Sequence, residues 1–298
     1  MNYEQILYKK YAVVDADTAA ARVTHSKNVV AIAKELNQLH HLHIKEEWIE
    51  QAGYLHDYAK YNTKKEFIQI AEAFSEKEIL LATPQPVWHA LFGPHFIERD
   101  IGKLDSEVME AIRYHTTGKK DMSPLQELIM LADFIEEGRD YQIAKEIRKT
   151  AYLDYKKAIA MVLKNKIAEV TKKKQMVHSN TKEAFQDYEV HLLPVKEKLK
   201  KLLQLTDHNL ITDIKIFDTT KYSPFFDAVV ITTALSSRQM EAAVSYITDE
   251  CEVKGLEKGD FWILIDLYDV IFHLFLEDAR KEYGLDRLYG DLPLIHFD

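Results

Sequence analysis

The sequence predicts a two-domain protein, an all-α helical bundle followed by a small α/β domain with a mixed sheet and packed helices. Three observations lead there. Up to about residue 185, apolar residues recur at helical spacing, helix-favouring Ala, Glu, Lys and Leu dominate, and β signals are few. After Leu193 the texture changes to runs rich in β-branched and aromatic residues. A chain of 298 residues is long for one core and comfortable for two. The boundary is expected near 186–193, with Pro194 opening a new helix, which divides the chain into 1–187 and 191–298.

In the first part, five helical segments each carry an ionisable residue on their apolar stripe. His25 lies in RVTHSKNVVAIAKEL and aligns with Val29 and Ile32. His56 and Asp57 follow Ile49 and Ala52 in the helix that ends AGYLHDYAK. His89 lies in WHALFGPH, His115 aligns with Val108 and Ile112 in the helix that ends AIRYHTTG, and Asp133 aligns with Ile129 in LIMLADFIEEGR. These groups therefore point inward with the core, where a lone charge is costly. In the second part, KEKLKKLLQL (196–205) is a helix and FFDAVVITT (225–233) a strand. SSRQMEAAVSYITDE (236–250) is a serine-capped helix, and DFWILIDLYDVIFHLF (260–275) is again strand-like. Along that last segment Trp262, Tyr268 and Phe272 share one parity, as do Leu264 and Asp266, so Trp, Asp and Tyr can form an interaction face or a sheet face covered by helices. His273, Asp266 and Asp269 alternate there without a nucleophile or a glycine-rich phosphate loop, which points to binding rather than catalysis.

Composition removes several function classes. No apolar run is long enough to cross a bilayer and the start, MNYEQILYKK, has no signal-peptide core, so a cytoplasmic protein without membrane attachment is expected. Cys251 is the only cysteine, which excludes a disulfide framework and a thiolate metal cluster. The net charge of −9 argues against nucleic-acid recognition. The excess is concentrated in residues 191–298, where 19 Asp and Glu face 12 Lys and Arg, so that part would be drawn to a basic protein surface or present a well-solvated face.

Four histidines and two aspartates facing one interior are best satisfied by metal ions. Imidazole and carboxylate donors without thiolate suit iron, manganese, zinc or cobalt. Six donors exceed what one catalytic ion needs if it is to keep open positions, whereas two ions sharing Asp57 would use them all. Such a pair can acidify a bridging water and hold a phosphate oxygen.

These residues, in this order, resemble the HD superfamily of metal phosphohydrolases. AGYLHDYAK, the His89-Ala90 pair, IRYHTTG and MSPLQELIMLADFIEEGR are similar, more closely, to the YqeK family of bacterial symmetrical diadenosine tetraphosphatases, over roughly residues 1–187. The resemblance implies two transition-metal ions, iron first and manganese or cobalt as alternatives, and cleavage of a dinucleoside polyphosphate, diadenosine tetraphosphate, into two ADP. Carried over by position, His25, His56, Asp57 and Asp133 hold one ion, and Asp57, His89 and His115 the other. Lys60 and Arg139 match basic positions that hold the polyphosphate and act with Asp57 in catalysis. Thr116 or Thr117 can add a hydrogen bond to phosphate. His95 is expected outside the ligand set, and His40, His41 and His43 facing solvent.

From about 191 to 298, FFDAVVITTALSSRQMEAAVSYI and GDFWILIDLYDVIFHLFLEDARKEYGLDRLYGD resemble the ribosome silencing factor family, RsfS. That resemblance implies binding to the large ribosomal subunit through its fourteenth protein and obstruction of subunit joining, with Trp262, Asp266, Asp269 and His273 as contacts. Tyr268 stands where the family usually has Gly, and Tyr289 where Trp is common. The alternatives are an HD phosphohydrolase for another nucleotide or cyclic nucleotide, and a non-catalytic ribosome-binding regulator.

Overall fold

In a computed structural model, which describes residues 1–208, 211–223 and 225–297, the chain forms two compact units, Met1–Leu192 and Leu193–Asp298. The end of the expected second domain, Asp298, lies outside the described residues. No helix is long and apolar enough to cross a membrane among the described residues.

The first unit is all-helical. Its elements are α1 (Tyr3–Lys10), α2 (Ala16–Leu39), α3 (Glu46–Leu55), α4 (Lys64–Ala73), α5 (Lys77–Ala82) and α6 (Trp88–Leu91). They continue with α7 (Gly93–Asp100), α8 (Ser106–Tyr114), α9 (Pro124–Ile135), α10 (Gln142–Leu153), α11 (Tyr155–Lys172) and α12 (Ser179–Tyr188). Local chemistry sets where the site-bearing helices start. The Asp15 side chain accepts the Thr18 amide at 2.8 Å to open α2, and Ser123 with Gln126 makes a capping box ahead of Pro124 at α9. The predicted stripe residues Val29, Ile32, Ile49, Ala52, Val108, Ile112 and Ile129 are all buried in one core.

One glycine sets how closely α3 approaches α2, the helices that lead to His56 and carry His25. A Cβ on Gly53 in α3 would stand 2.7 Å from Val30 Cγ2 in α2, closer than side-chain carbons approach. Glycine there lets α3 lie directly on α2.

The second unit opens with α13 (Val195–His208), preceded by Pro194 as expected. It continues with β1 (Thr212–Asp218), β2 (Ala228–Ala234), α14 (Ser237–Glu250), β3 (Gly255–Lys258), β4 (Trp262–Asp266), β5 (Val270–Leu276), α15 (Glu277–Tyr283) and α16 (Leu285–Leu288). The sheet order is β1-β2-β5-β4-β3, mixed because β2 and β5 run parallel while the other neighbours are antiparallel. β2, mostly apolar with Thr232 and Thr233 near its end, is buried along its whole length. One sheet face, with Val230, Ile263, Ile265 and Phe272, packs under Met240, Val244 and Ile247 of α14. The other carries Val229, Ile231, Trp262 and Phe275 against Ala279 of α15.

The segment 260–275 is not one strand but two. β4 and β5 form a hairpin whose turn places Tyr268 at φ +73°, in the left-handed region that glycine occupies without strain. Asp266 Oδ1 accepts the Tyr268 amide at 2.9 Å and holds the turn. This regroups the predicted parity. Trp262 pairs with Phe275, Leu264 with His273 and Asp266 with Ile271 on one face, whereas Phe272 lies on the opposite face and Tyr268 belongs to the turn.

Candidate metal centre

The site is assembled from the ends of helices as much as from their middles. His25 projects from the middle of α2 and Asp133 from the last turn of α9, as predicted. His56 and His115, by contrast, are the residues on which α3 and α8 stop, and Asp57 lies in the turn beyond α3. Helix ends leave carbonyls without an amide partner, and both histidines use one. His56 Nδ1 donates to Gly53 O at 2.8 Å, and His115 Nδ1 donates to Ile112 O at 2.8 Å. His25 Nδ1 donates to Glu136 Oε1 at 3.2 Å. In a neutral ring each such bond favours the tautomer whose Nε2 is a lone pair aimed into the centre, the arrangement that orients metal-bound imidazoles.

Those lone pairs converge. His25 Nε2 lies 3.1 Å from His56 Nε2 and 3.1 Å from Asp133 Oδ1. His56 Nε2 is 3.7 Å from Asp57 Oδ2 and 3.8 Å from Asp133 Oδ1. Asp57 Oδ1 is 3.1 Å from His89 Nε2 and 3.7 Å from His115 Nε2. Three overlapping groups could each hold a cation: His25, His56 and Asp57; His56, His115 and Asp133; and Asp57, His89 and His115. All six predicted ligands are thus brought together.

The donor set fits metal on its own geometry. His25 and His56 oppose two acceptor nitrogens at hydrogen-bond distance with a carboxylate beside them, an arrangement only a cation or a proton relieves. Burial pushes the His25 imidazole down, but its bonds to Asp133 and Glu136 outweigh burial and lift it to about 9. Burial drives His56 down to about 3. Burial alone would raise Asp57 and Asp133. His56, His115, His89 and Lys60 hold Asp57 well below the usual carboxylate range, and His25, His56 and His115 do the same for Asp133.

The predicted cations reach the same place. Lys60 Nζ is 3.2 Å from Asp57 Oδ1 and 3.3 Å from His89 Nε2, and Arg139 Nη2 donates to Asp133 Oδ1 at 3.0 Å. Arg148 bonds the carbonyls of Ile135, Glu136 and Arg139 and so fixes the loop that carries Arg139. Thr116 Oγ1 donates to His115 Nε2 at 3.0 Å, whereas the Thr117 hydroxyl is spent on Gly118 O. Sequence reasoning missed Glu136, which also accepts from Asn28 Nδ2 at 2.9 Å, and Arg22, whose Nη1 is 3.4 Å from Asp57 Oδ2. Both had a signal, since each lies three residues from a ligand on the same helix face or its continuation, Arg22 before His25 and Glu136 after Asp133. His95 is outside the ligand set and buried against Phe74, with Nε2 2.8 Å from Glu76 Oε2. His41 and His43 are exposed. His40 is not: it is half-buried, with Nε2 bonded to Ala151 O at 2.7 Å.

The HD domain model matches residues 22–138, the span that holds every one of these ligands, and the model described as "Ribosomal silencing factor during starvation" matches 193–298. The symmetrical bis(5'-nucleosyl)-tetraphosphatase of Bacillus subtilis (strain 168) is 34% identical over 181 residues, covering 61% of this chain and 94% of that protein. The ribosomal silencing factor RsfS of the same organism is 31% identical over 110 residues, covering 35% of this chain and 93% of that protein. The chain belongs to both families, as a fusion. A crystal structure from Clostridium acetobutylicum, described as a predicted HD superfamily hydrolase involved in NAD metabolism, matches the tetraphosphatase part with a TM-score of 0.50 and 32% identity, covering 55% of this chain and 87% of that one.

In the silencing-factor unit, Trp262 and Asp266 are half-exposed on the same sheet face. Asp269 and His273 are buried. Asp269 takes both its oxygens to Lys198 Nζ, at 2.8 and 2.7 Å, and His273 Nδ1 accepts from Trp262 Nε1 at 3.1 Å. His273 therefore holds the Trp262 indole from beneath, while Asp269 ties α13 to the turn between β4 and β5 through Lys198.

Proposed function

We propose that the tetraphosphatase unit hydrolyses diadenosine tetraphosphate symmetrically to two ADP at a dinuclear centre. The observation that carries this reading is the sharing of His56, Asp57 and His115 among overlapping ligand groups, which gives two ions common walls. His25, His56, Asp57 and Asp133 would hold one ion, and Asp57, His89 and His115 the other. We place iron first, with manganese or cobalt fitting the same donors. Bound there, the ions would acidify a water and polarise a phosphate oxygen. The protein does the rest. The carbonyls of Gly53 and Ile112 hold two imidazoles in the binding tautomer. Lys60 and Arg139 present positive charge at either side of the cluster, where a polyphosphate must be neutralised before an anionic nucleophile can approach. Thr116 adds a hydroxyl between His89 and His115. Purified protein incubated with diadenosine tetraphosphate should release ADP as its sole nucleotide product, with close to two metal ions per chain. AMP with ATP among the products, or turnover confined to cyclic nucleotides, would refute it.

For the silencing-factor unit we propose binding to the large ribosomal subunit, through its fourteenth protein, and obstruction of subunit joining. Support comes from the half-exposed Trp262 and Asp266 and from the acid excess of this part of the chain, which suits a basic protein surface. Both activities imply a cytoplasmic protein. Sedimentation with purified large subunits tests the second reading, and failure to co-migrate would remove it.

A further inference from the structure

A chamber of about 710 Å³, within the range of small-molecule sites, lies where α1, α4 and the end of α7 meet the turn after α3. No candidate metal ligand lines it among the described residues, yet Asp57 links it to the metal centre. The Asp57 carboxylate belongs to the centre, while its carbonyl accepts from the hydroxyl of Tyr11, a wall of the chamber, at 3.1 Å. A second wall, Tyr61, packs edge-on to Tyr11 with ring centroids 5.5 Å apart. Its hydroxyl accepts from Arg22 Nε at 3.2 Å, and Arg22 Nη1 reaches Asp57 Oδ2 at 3.4 Å. Most polar groups on these walls are spent on one another. Asp100 accepts from Lys10 and Tyr58, at 3.0 and 3.2 Å, and Glu66 accepts the Thr63 amide and hydroxyl, both at 2.7 Å. Three groups are left over among the described residues. Asn62 Nδ2 donates to Glu66 Oε1 at 2.9 Å, which fixes the amide and leaves Oδ1 buried with no hydrogen-bond partner. The Tyr61 hydroxyl accepts from Arg22, but its own proton has no acceptor. Lys9, exposed at the rim, has no carboxylate within ion-pair distance. An unspent acceptor calls for an N–H, and two unspent donors call for anionic oxygens. The tyrosine rings, with Ile6 and Ile101, call for a flat apolar body. An aminopurine carrying a phosphate has all three.

We propose that this chamber is an effector site for an aminopurine mononucleotide, and that Tyr61 and Arg22 report its occupancy to Asp57. The direction follows from the chain of contacts. Arg22 competes with a metal ion for Asp57 Oδ2. A ligand oxygen that takes the Tyr61 proton makes the tyrosine oxygen a stronger acceptor for Arg22 and draws that cation off the carboxylate. Effector and metal therefore tighten each other's binding by the same factor. The site and its link to Asp57 stand apart from the hydrolase reading, because neither requires turnover.

The test is calorimetric binding of AMP to the metal-loaded full chain, with metal retention read by competition with a chelator. Ile101→Trp fills the chamber and should remove one AMP equivalent per chain while leaving metal content unchanged. Val13→Trp, on an exposed part of the lining, should do the same if Ile101→Trp unfolds. At the lost equivalent, inosine monophosphate, which has no amine for Asn62, should bind about tenfold more weakly than AMP, and adenosine about fivefold more weakly. Saturating AMP should tighten metal retention about fivefold in the wild type and leave it unmoved in Ile101→Trp and in Tyr61→Phe. An AMP stoichiometry that neither tryptophan lowers, or inosine monophosphate binding as tightly as AMP, would overturn the site. Metal retention indifferent to AMP would overturn the link to Asp57. Diadenosine tetraphosphate kinetics separate an effector site from a substrate subsite: Ile101→Trp should leave KM within about twofold, and a tenfold rise would sink the proposal. A wild-type chain inert toward that substrate but losing an AMP equivalent in Ile101→Trp would instead remove the hydrolase reading and leave this one standing.

Discussion

Glu136 holds the ring of His25 through Nδ1, lies 3.7 Å from Arg139 Nε, and is itself held by Asn28 and by the Gly138 amide at 2.6 Å. Partners of this kind typically set metal affinity by about 10- to 100-fold. Glu136→Ala should lower metal affinity within that range, as read by competition with a chelator, and activity should return when metal is added in excess. Asp57→Ala removes a ligand shared between groups, so hydrolysis should be abolished and metal content reduced, with co-sedimentation on large subunits unchanged. The histidines and aspartates were readable because each sits at helical spacing from apolar residues that had to be buried. Glu136 and Arg22 were not singled out because an acid or a cation near a helix end has an ordinary solvent-facing explanation, and only the fold shows which way it turns. A titration follows for the other unit. Burial pushes His273 down to about 4, below the ~6.5 of an exposed histidine. Between those values the unfolded chain binds a proton that the folded chain refuses, so stability falls as pH drops from about 6.5 to about 4. Urea unfolding followed by Trp262 fluorescence, with Trp48 and Trp88 replaced by Phe, should show that loss, and His273→Gln should flatten it.

Among the elements, the contact between α2 and α3 decides whether His25 and His56 can meet. Gly53→Ala would press a methyl into Val30, and overpacking of this kind costs about 1–3 kcal/mol. Thermal unfolding should register that cost, and the variant should also bind metal more weakly because the Gly53 carbonyl that orients His56 moves with the backbone. Helix existence was well predicted by periodicity, and so was the strand character of β2. What periodicity could not see was that α3 and α8 stop on His56 and His115, their candidate ligands, because an apolar stripe does not mark where a helix ends. Nor could it find the hairpin between β4 and β5. Its turn residue is Tyr268 rather than the glycine that would announce a left-handed position, so the apolar run reads as continuous.

For the whole molecule, each unit has its own core, and among the described residues every strand of the sheet lies in the second unit. Residues 1–192 expressed alone should therefore fold and turn over substrate at a rate close to that of the full chain, as steady-state kinetics would show. Addition of large subunits should leave the full chain's hydrolysis rate unchanged if the fusion serves only co-production, and a change would reveal communication between the two activities.

The six candidate ligands come from α2, α6, α9, the ends of α3 and α8 and the turn after α3, so an ion bound among them would also be a fastener drawing these stretches of chain together. Stripped of its ions, the centre leaves acceptor nitrogens and carboxylates facing one another in the middle of the bundle. Mass action then makes the melting temperature a meter of metal supply: occupancy at 100 times the dissociation constant is worth about 2.7 kcal/mol per site. On the proposed dinuclear reading, the scarcity that silences the hydrolase in a metal-starved cell would also shorten the lifetime of the fold that carries it.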